Sequence, residues 1–109
     1  MPTTYKVLGQ LAPVANTATT LYTVPSGNSA VCSSMTICNS SGANANVSVQ
    51  VAVANAASST SQNLVSNNTV VNGDTLFMTL GVTLAATDVV RVTSTAANVA
   101  FQVFGSEIS

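Results

Sequence analysis

Apolar and polar residues alternate along most of this chain. In the run Asn46–Ala54, valine occupies every second position from Val47 to Val53, with Ser, Gln or Ala between the valines. A period of two predicts a strand with one buried face and one more polar face. The other predicted strands are Ala30–Asn39, Thr75–Leu80, Val89–Ser94 and Val99–Phe104, with weaker ones at Tyr5–Leu8, Leu21–Val24 and Asn63–Val71.

Turn residues separate these runs. Pro25-Ser26-Gly27-Asn28 predicts a turn because proline restricts φ and glycine adopts positive φ freely. Asn72-Gly73-Asp74 lies between two β-rich runs and predicts a hairpin. Further turns are predicted at Asn39–Gly42 and Thr95–Asn98.

Two further segments, Ala54–Asn63 and Leu84–Asp88, connect predicted strands. The segment Ala54–Asn63 contains only Ala, Ser, Thr, Asn and Gln, which predicts a long flexible loop. The segment Leu84–Asp88 contains good helix formers but is only one turn long, and isolated turns are marginal in water. We therefore expect a tight corner in which Asp88 accepts hydrogen bonds from nearby backbone N–H groups.

These elements define the fold class. Turn signals recur roughly every 8–12 residues without a helical period, which is typical of sandwiches, jelly rolls and small barrels. A chain of 109 residues can bury one core without metals or disulfides. We predict an all-β protein, a single-domain antiparallel β-sandwich or jelly roll of about seven to eight strands that spans residues 1–109.

Charge is scarce. Only 5% of the residues are charged, compared with about a quarter in ordinary soluble domains, and the net charge is −1. So neutral a surface favours association, and we expect a homo-oligomer or contacts with other chains. Because the chain has only two basic residues, a nucleic-acid partner is not expected. The charged residues are Lys6, Asp74, Asp88, Arg91 and Glu107.

No membrane partner is expected, because no apolar run approaches the 18 or so residues of a spanning helix. Met1–Gln10 has no long apolar stretch, so we expect no signal peptide and synthesis in the cytoplasm.

Two cysteines lie six residues apart in one predicted strand. That spacing puts Cys32 and Cys38 about 20 Å apart, beyond the roughly 7 Å limit of a disulfide. Strict alternation places both on one face, where we expect them to be buried as small apolar side chains.

Candidate chemistry is sparse. The chain has no histidine, and no paired carboxylates, phosphate-binding glycine loop or metal-ligand cluster stands out. We predict no enzymatic activity, no cofactor and no metal. The alternative to a purely structural role for Asp74 and Asp88 is a calcium site. Two carboxylates, however, fall short of the six to eight oxygen ligands that Ca²⁺ takes.

Four runs carry a resemblance to a known class of proteins. They are Tyr5–Gln10, Leu21–Pro25, Leu80–Val90 and Phe104–Glu107. They resemble small β-rich virion proteins of tailed phages that infect cyanobacteria and other aquatic bacteria. The resemblance spans nearly the whole chain, although residues 54–72 match poorly. It implies a non-enzymatic structural protein located in the virion.

Three roles follow as hypotheses. The first is a capsid decoration (cement) protein bound to the major capsid protein, for which the class implies a trimer. The second is a tail, neck or baseplate/fibre component, including a receptor-contacting tip. The third is a cellular adhesion module, which the expected lack of a signal peptide disfavours. The absence of a coiled-coil pattern or repeat favours decoration over a long fibre. We expect Lys6, Arg91 and Glu107 to lie at an interface rim as orienting contacts.

Overall fold

The computed structural model describes residues 3–57 and 59–109. Met1 and Pro2, which the single-domain prediction includes, and Ser58 of the predicted loop lie outside the described residues. Eight strands form two antiparallel four-stranded sheets, which confirms the predicted all-β sandwich. The strands are β1 Thr3–Leu11, β2 Thr19–Thr23, β3 Ser29–Asn39, β4 Ala45–Ala52, β5 Asn63–Val70, β6 Thr75–Leu84, β7 Val89–Ser94 and β8 Val99–Ile108.

The strand order identifies the jelly roll. Sheet one has the order β1-β8-β3-β6, and sheet two has the order β2-β7-β4-β5. The first strand pairs with the last, the second with the seventh, the third with the sixth and the fourth with the fifth. The chain therefore runs like one long hairpin whose tip lies between β4 and β5, rolled up so that its two arms form both sheets.

The hairpin prediction at Asn72-Gly73-Asp74 is wrong, although the turn itself exists. Gly73 has a φ of 80°, and the Asp74 N–H donates to the Val71 carbonyl at 2.9 Å. The turn joins β5 in sheet two to β6 in sheet one, so the two strands do not pair. A local turn signal specifies a chain reversal, but it does not specify the sheet in which the next strand finds its partner.

The tip of the long hairpin is residues 53–62, the connection between β4 and β5. It contains most of the predicted loop Ala54–Asn63, whose last residue instead begins β5, and two short 3-10 helices, Val53–Asn55 and Thr60–Gln62. The predicted strand Asn46–Ala54 is therefore wrong at its end, because Val53 and Ala54 lie in the first of these helices.

The core lies between the two sheets and is built mostly from small side chains. Phe101, Met35 and Ile37 are its largest fully buried members. Most of the other fully buried members are valines, and they come from both sheets. Valine fills little volume, so the two sheets must approach each other closely to avoid cavities. The fully buried valines are Val24, Val47, Val49, Val89, Val90, Val92, Val99 and Val103.

A β-bulge in β3 reverses which residues face the core. The register of β3 against both β6 and β8 shifts between Cys32 and Ser34. Cys32 faces inward before the bulge, whereas Met35 and Ile37 face inward after it. The expectation that Cys32 and Cys38 share a buried face is therefore wrong for Cys38, which is only partly buried. Strict alternation fails here because a bulge adds one residue and moves every later side chain to the opposite face.

Asn39 shapes the predicted turn after β3 in a way that the sequence did not reveal. Its side-chain Nδ2 donates to the carbonyls of Ala43 and Val70, both at 2.8 Å. Its Oδ1 accepts from the backbone N–H and the hydroxyl of Ser41. The residue is fully buried, and its side-chain polar groups bond across the turn.

The corner after β6 confirms the role predicted for Asp88. Its Oδ2 accepts from the Ala85 N–H and its Oδ1 from the Ala54 N–H, each at 3.0 Å. Asp74 precedes β6 and Asp88 follows it, so the ten residues of that strand hold the two carboxylates about 30 Å apart. They cannot share one calcium ion.

The bulge predicts different reactivity for the two thiols. In dilute folded protein, an alkylating reagent should modify Cys38 and leave Cys32 unmodified. Burial shields Cys32 and raises the pKa of its thiol to about 11, so little thiolate forms at about pH 8. Intact-mass spectrometry should show one adduct in the native protein and two after unfolding in urea. The variant Cys38→Ser should gain no adduct while folded, and an adduct mapped to Cys32 would contradict this placement.

The close approach of the sheets predicts that Gly9 cannot be replaced. Gly9→Ala would place a Cβ against the carbonyl oxygen of Leu21, which is backbone and cannot rotate away. We expect a loss of about 1–3 kcal/mol in the free energy of unfolding, measured in urea. Gly81→Ala is the matched control, because no atom lies within 4 Å of its added Cβ. Equal stability of the two variants would show that the sheets are not in close contact at Gly9.

Candidate interface surface

Among the described residues, strand alternation directs no charged side chain to the solvent-facing side of sheet one, here called the outer face, although Lys6 contributes to the lining of its groove. Strand pairing and burial place Lys6 and Glu107 with the inward set, because their partners Gly105 and Ala30 lie on the core side. Asp74 and Asp88 lie in turns, and Arg91 belongs to sheet two. Hydroxyl, amide and apolar groups, including three aromatic rings, make up this face. Such a composition resembles the core of an interface more than a hydrated surface.

An apolar groove crosses three strands of the outer face. Its volume is about 380 Å³, and it is open to solvent. Tyr5 and Val7 of β1 form one wall, and Val31 of β3 forms the other. The side chain of Tyr5 is 84% exposed, so a large part of an aromatic ring projects beside the groove. The other lining residues are Lys6, Ser33, Phe104, Gly105 and Ser106.

The groove exists because small residues lie beneath it and because β3 bulges beside it. Gly105 and Ser106 contribute almost no side-chain volume between the two walls. A Cβ on Gly105 would overlap the Val31 carbonyl oxygen, so the backbone of β3 presses directly on β8 here. The bulge also turns Val31 outward, and the Ser33 hydroxyl donates to the Phe104 carbonyl at 3.2 Å. The groove was not predicted, because it depends on a change of register.

A second aromatic projection lies on the other edge of the outer face. Phe77 of β6 is paired with Thr36 of β3 and is 77% exposed. An isolated exposed aromatic ring costs free energy in water, because its apolar surface stays hydrated. β6 is an edge strand of sheet one, so Phe77 lies two strands away from β8 beneath the groove.

Two of the three predicted rim residues meet at the end of the sandwich. Lys6 Nζ lies 3.2 Å from Glu107 Oε1, and the Tyr22 hydroxyl donates to Glu107 Oε2 at 2.6 Å. The Lys6 side chain is 43% exposed and that of Glu107 only 15%. Tyr22 belongs to β2, so the carboxylate connects sheet one to sheet two. The sequence did not single out Tyr22, because alternation alone does not reveal a contact between residues 85 positions apart.

These contacts shift the pKa values of both Glu107 and Tyr22. The hydrogen bond from Tyr22 lowers the pKa of Glu107, and the Lys6 ammonium lowers it further, against the opposing effect of partial burial. Burial raises the pKa of Tyr22, and the hydrogen bond to Glu107 raises it further. Tyr22 thus stays a neutral donor and Glu107 a charged acceptor at neutral pH, which is the stronger form of this hydrogen bond.

Arg91 lies apart from that pair. It is on β7 of sheet two, where its Nη2 donates to Asn55 Oδ1 at 2.7 Å and to the Asn55 carbonyl at 3.3 Å. The three rim residues therefore do not form one cluster. Their place in an interface stays a prediction.

The described residues contain neither a cluster of three metal ligands nor a helix that could span a membrane. Over residues 3–57 and 59–109, no three potential metal ligands among Cys, Asp and Glu come together. In the same residues, no helix has the length and apolar character to cross a membrane.

Glu107 predicts a pH-dependent part of the stability. Because folding lowers its pKa below the ordinary 4.5, Glu107 stabilises the fold above that value, and this stabilisation disappears as the pH falls through the lowered pKa. Glu107→Gln should therefore lower the free energy of unfolding by about 1 kcal/mol at neutral pH. The difference from the unmodified protein should shrink as the pH is lowered from 4.5 through the lowered pKa of Glu107, measured by urea unfolding.

Lys6→Gln is the control, because it removes the ion pair but keeps the Tyr22 hydrogen bond, and its effect should be smaller. A difference between Glu107→Gln and the unmodified protein that stays constant with pH would contradict the assignment.

Comparison with known proteins supports the fold but does not assign the chain to a family. No family model matches the chain, and no curated protein matches it. A chain in the structure of the infectious bursal disease virus Gx strain superposes with a TM-score of 0.56 at 8% identity, covering 97% of this chain and 32% of the viral chain. A chain in the T13 viral particle of the same virus gives a TM-score of 0.55 at 10% identity, covering 97% and 29%.

A pentameric capsid protein isolated from metagenomic phage sequences reaches 23% identity, covering 97% of this chain and 64% of its own. Its TM-score is 0.40, and an overlap this loose supports no conclusion. The chain thus spans about a third of the bursal disease virus chains whose fold it is similar to.

Proposed function

We propose that this chain is a non-enzymatic structural protein of a phage virion, and that it is a capsid decoration protein bound to the major capsid protein. The observation that carries the proposal is the outer face, where a sheet with little charge presents an apolar groove and exposed aromatic rings. A free protein with such a face tends to associate, so its stable state is one in which other chains cover it.

The fold supports the same proposal without deciding it. The jelly roll recurs in viral capsid domains but also in lectins and cupins, so the role must come from the surface. A similar arrangement over 97% of this chain occurs within a chain of a viral particle. The runs that resemble tailed-phage virion proteins add to this support.

Attachment must depend on apolar contacts and hydrogen bonds. Lys6 and Glu107 pair with each other, and Arg91 binds Asn55, so few charges are available for a partner. Exposed ion pairs are worth about 0–1 kcal/mol each and are weakened by salt. Lys6, Arg91 and Glu107 then act as orienting contacts at the rim.

The alternative role is a tail, neck or baseplate component. Decoration is favoured because the described residues form a jelly roll, without the coiled coil or repeat of a long fibre. In either role the protein is made in the host cytoplasm and located in the virion. The trimer implied by the class stays a prediction.

Copy number and salt resistance test the proposal together. Purified particles of the phage that encodes this chain should contain hundreds of copies, measured by quantitative mass spectrometry with the major capsid protein as internal standard. The protein should stay bound when particles are washed from low salt to about 1 M, where the Debye length is about 3 Å.

Variants of recombinant protein added to stripped particles provide the control. Arg91→Gln should weaken binding only modestly, because its guanidinium is engaged within the chain. A count of a few to a few dozen copies would favour the tail or neck role. Wholesale release at moderate salt would show that charges hold the protein in place and would contradict the mechanism.

A further inference from the structure

We propose that the outer face of sheet one is also a contact between two copies of this chain, in which Phe77 of each copy enters the groove of the other. This inference goes beyond the proposed function, because it concerns self-association and not attachment to a shell. It begins from two features of one face: an exposed phenylalanine and an open apolar groove.

The two features are complementary in chemistry and in size. A phenylalanine side chain is apolar and rigid, and the groove of about 380 Å³ is lined mainly by apolar groups around Gly105 and Ser106. Tyr5 stands beside the groove, where its ring can pack against an inserted ring at the separations that aromatic pairs prefer.

Their positions allow a symmetric contact. Phe77 lies on the edge strand β6, and the groove lies over β1, β8 and β3 of the same sheet. A two-fold axis that lies in the plane of the face, midway between the two features, carries each Phe77 onto the groove of the other copy. Both contacts then form at once, as in an isologous dimer, in which residue i contacts residue j and j contacts i.

The charge pattern favours a second copy over a different chain. A face with so little charge offers little for a partner of opposite sign to recognise, and it does not strongly repel a second copy of itself. Lys6 lines the groove and is 43% exposed, but its ammonium is already paired with Glu107 at 3.2 Å. Two such faces can therefore pack as sheets about 10 Å apart without burying an unpaired charge.

The outer face is large enough to form a specific interface between two copies. Four strands spaced about 4.8 Å apart, each about 30 Å long, cover roughly 600 Å². Two copies would bury about 1,200 Å² in total, the lower end of the range for specific interfaces. Affinity should then depend on the central aromatic contact, and a concentration-dependent equilibrium is expected.

Sedimentation equilibrium tests the contact. The unmodified protein should pass from 10.9 kDa to twice that mass as its concentration rises. Phe77→Ser should weaken the dimer at least about tenfold, and Tyr5→Ser should act in the same direction from the groove side. Both side chains are exposed, so the thermal unfolding midpoint should not fall. Val14→Ser and Val53→Ser are matched controls, since both valines are exposed off the outer face and should leave the equilibrium unchanged.

Alkylation of Cys38 gives a second measurement, because this partly exposed thiol lies on the outer face. Its rate should fall as the unmodified protein dimerises, and the fall should be absent in Phe77→Ser.

A monomer at all concentrations, a trimer without dimer, or a dimer insensitive to Phe77→Ser would each overturn the inference. Copy number and salt-resistant binding are measured on particles and not on the free protein, so failure of the dimer and failure of the proposed function are distinguishable.

Discussion

The close approach of two sheets through a core of small side chains is the constraint on which the rest of this structure depends. Valine dominates the buried positions, and among the described residues Phe101 alone supplies a fully buried aromatic ring. A core of this kind reaches native packing density only if the backbones come near each other. Gly9 allows this where β1 passes the backbone of β2, and a side chain there would force the sheets apart.

The same close packing explains how the outer face acquires its shape. Gly105 accepts the backbone of β3 at the bulge, and the bulge turns Val31 outward beside the small residues of β8. The groove is thus a by-product of how sheet one is built. A bulge that changes the direction of a side chain is a common device near functional surfaces.

Charge acts locally in this protein and has little long-range effect. Glu107 joins the sheets through Tyr22 and pairs with Lys6 within sheet one, and Asp88 accepts from two backbone N–H groups at a corner. These carboxylates have structural partners, so the surface that is left is almost neutral. A neutral surface with exposed aromatic rings is stable in solution only at low concentration or when covered by another chain.

The sequence alone determined the fold class and the approximate place of every strand, because alternation and turn chemistry are local properties. The run that begins at Val47 and the corner at Asp88 could be interpreted from a few neighbouring residues, and the structure agrees with the corner and with the burial of Val47 and Val49. It differs at the end of the run, where the strand stops at Ala52 and Val53 is 69% exposed in a 3-10 helix. The tertiary structure decided what depends on partners distant in the chain: the sheet to which each strand belongs, the reversal of β3 at its bulge, and the meeting of Tyr22 with Glu107. Cys38 shows the difference most clearly, since its face follows from a register that β3 adopts only when paired with β6 and β8.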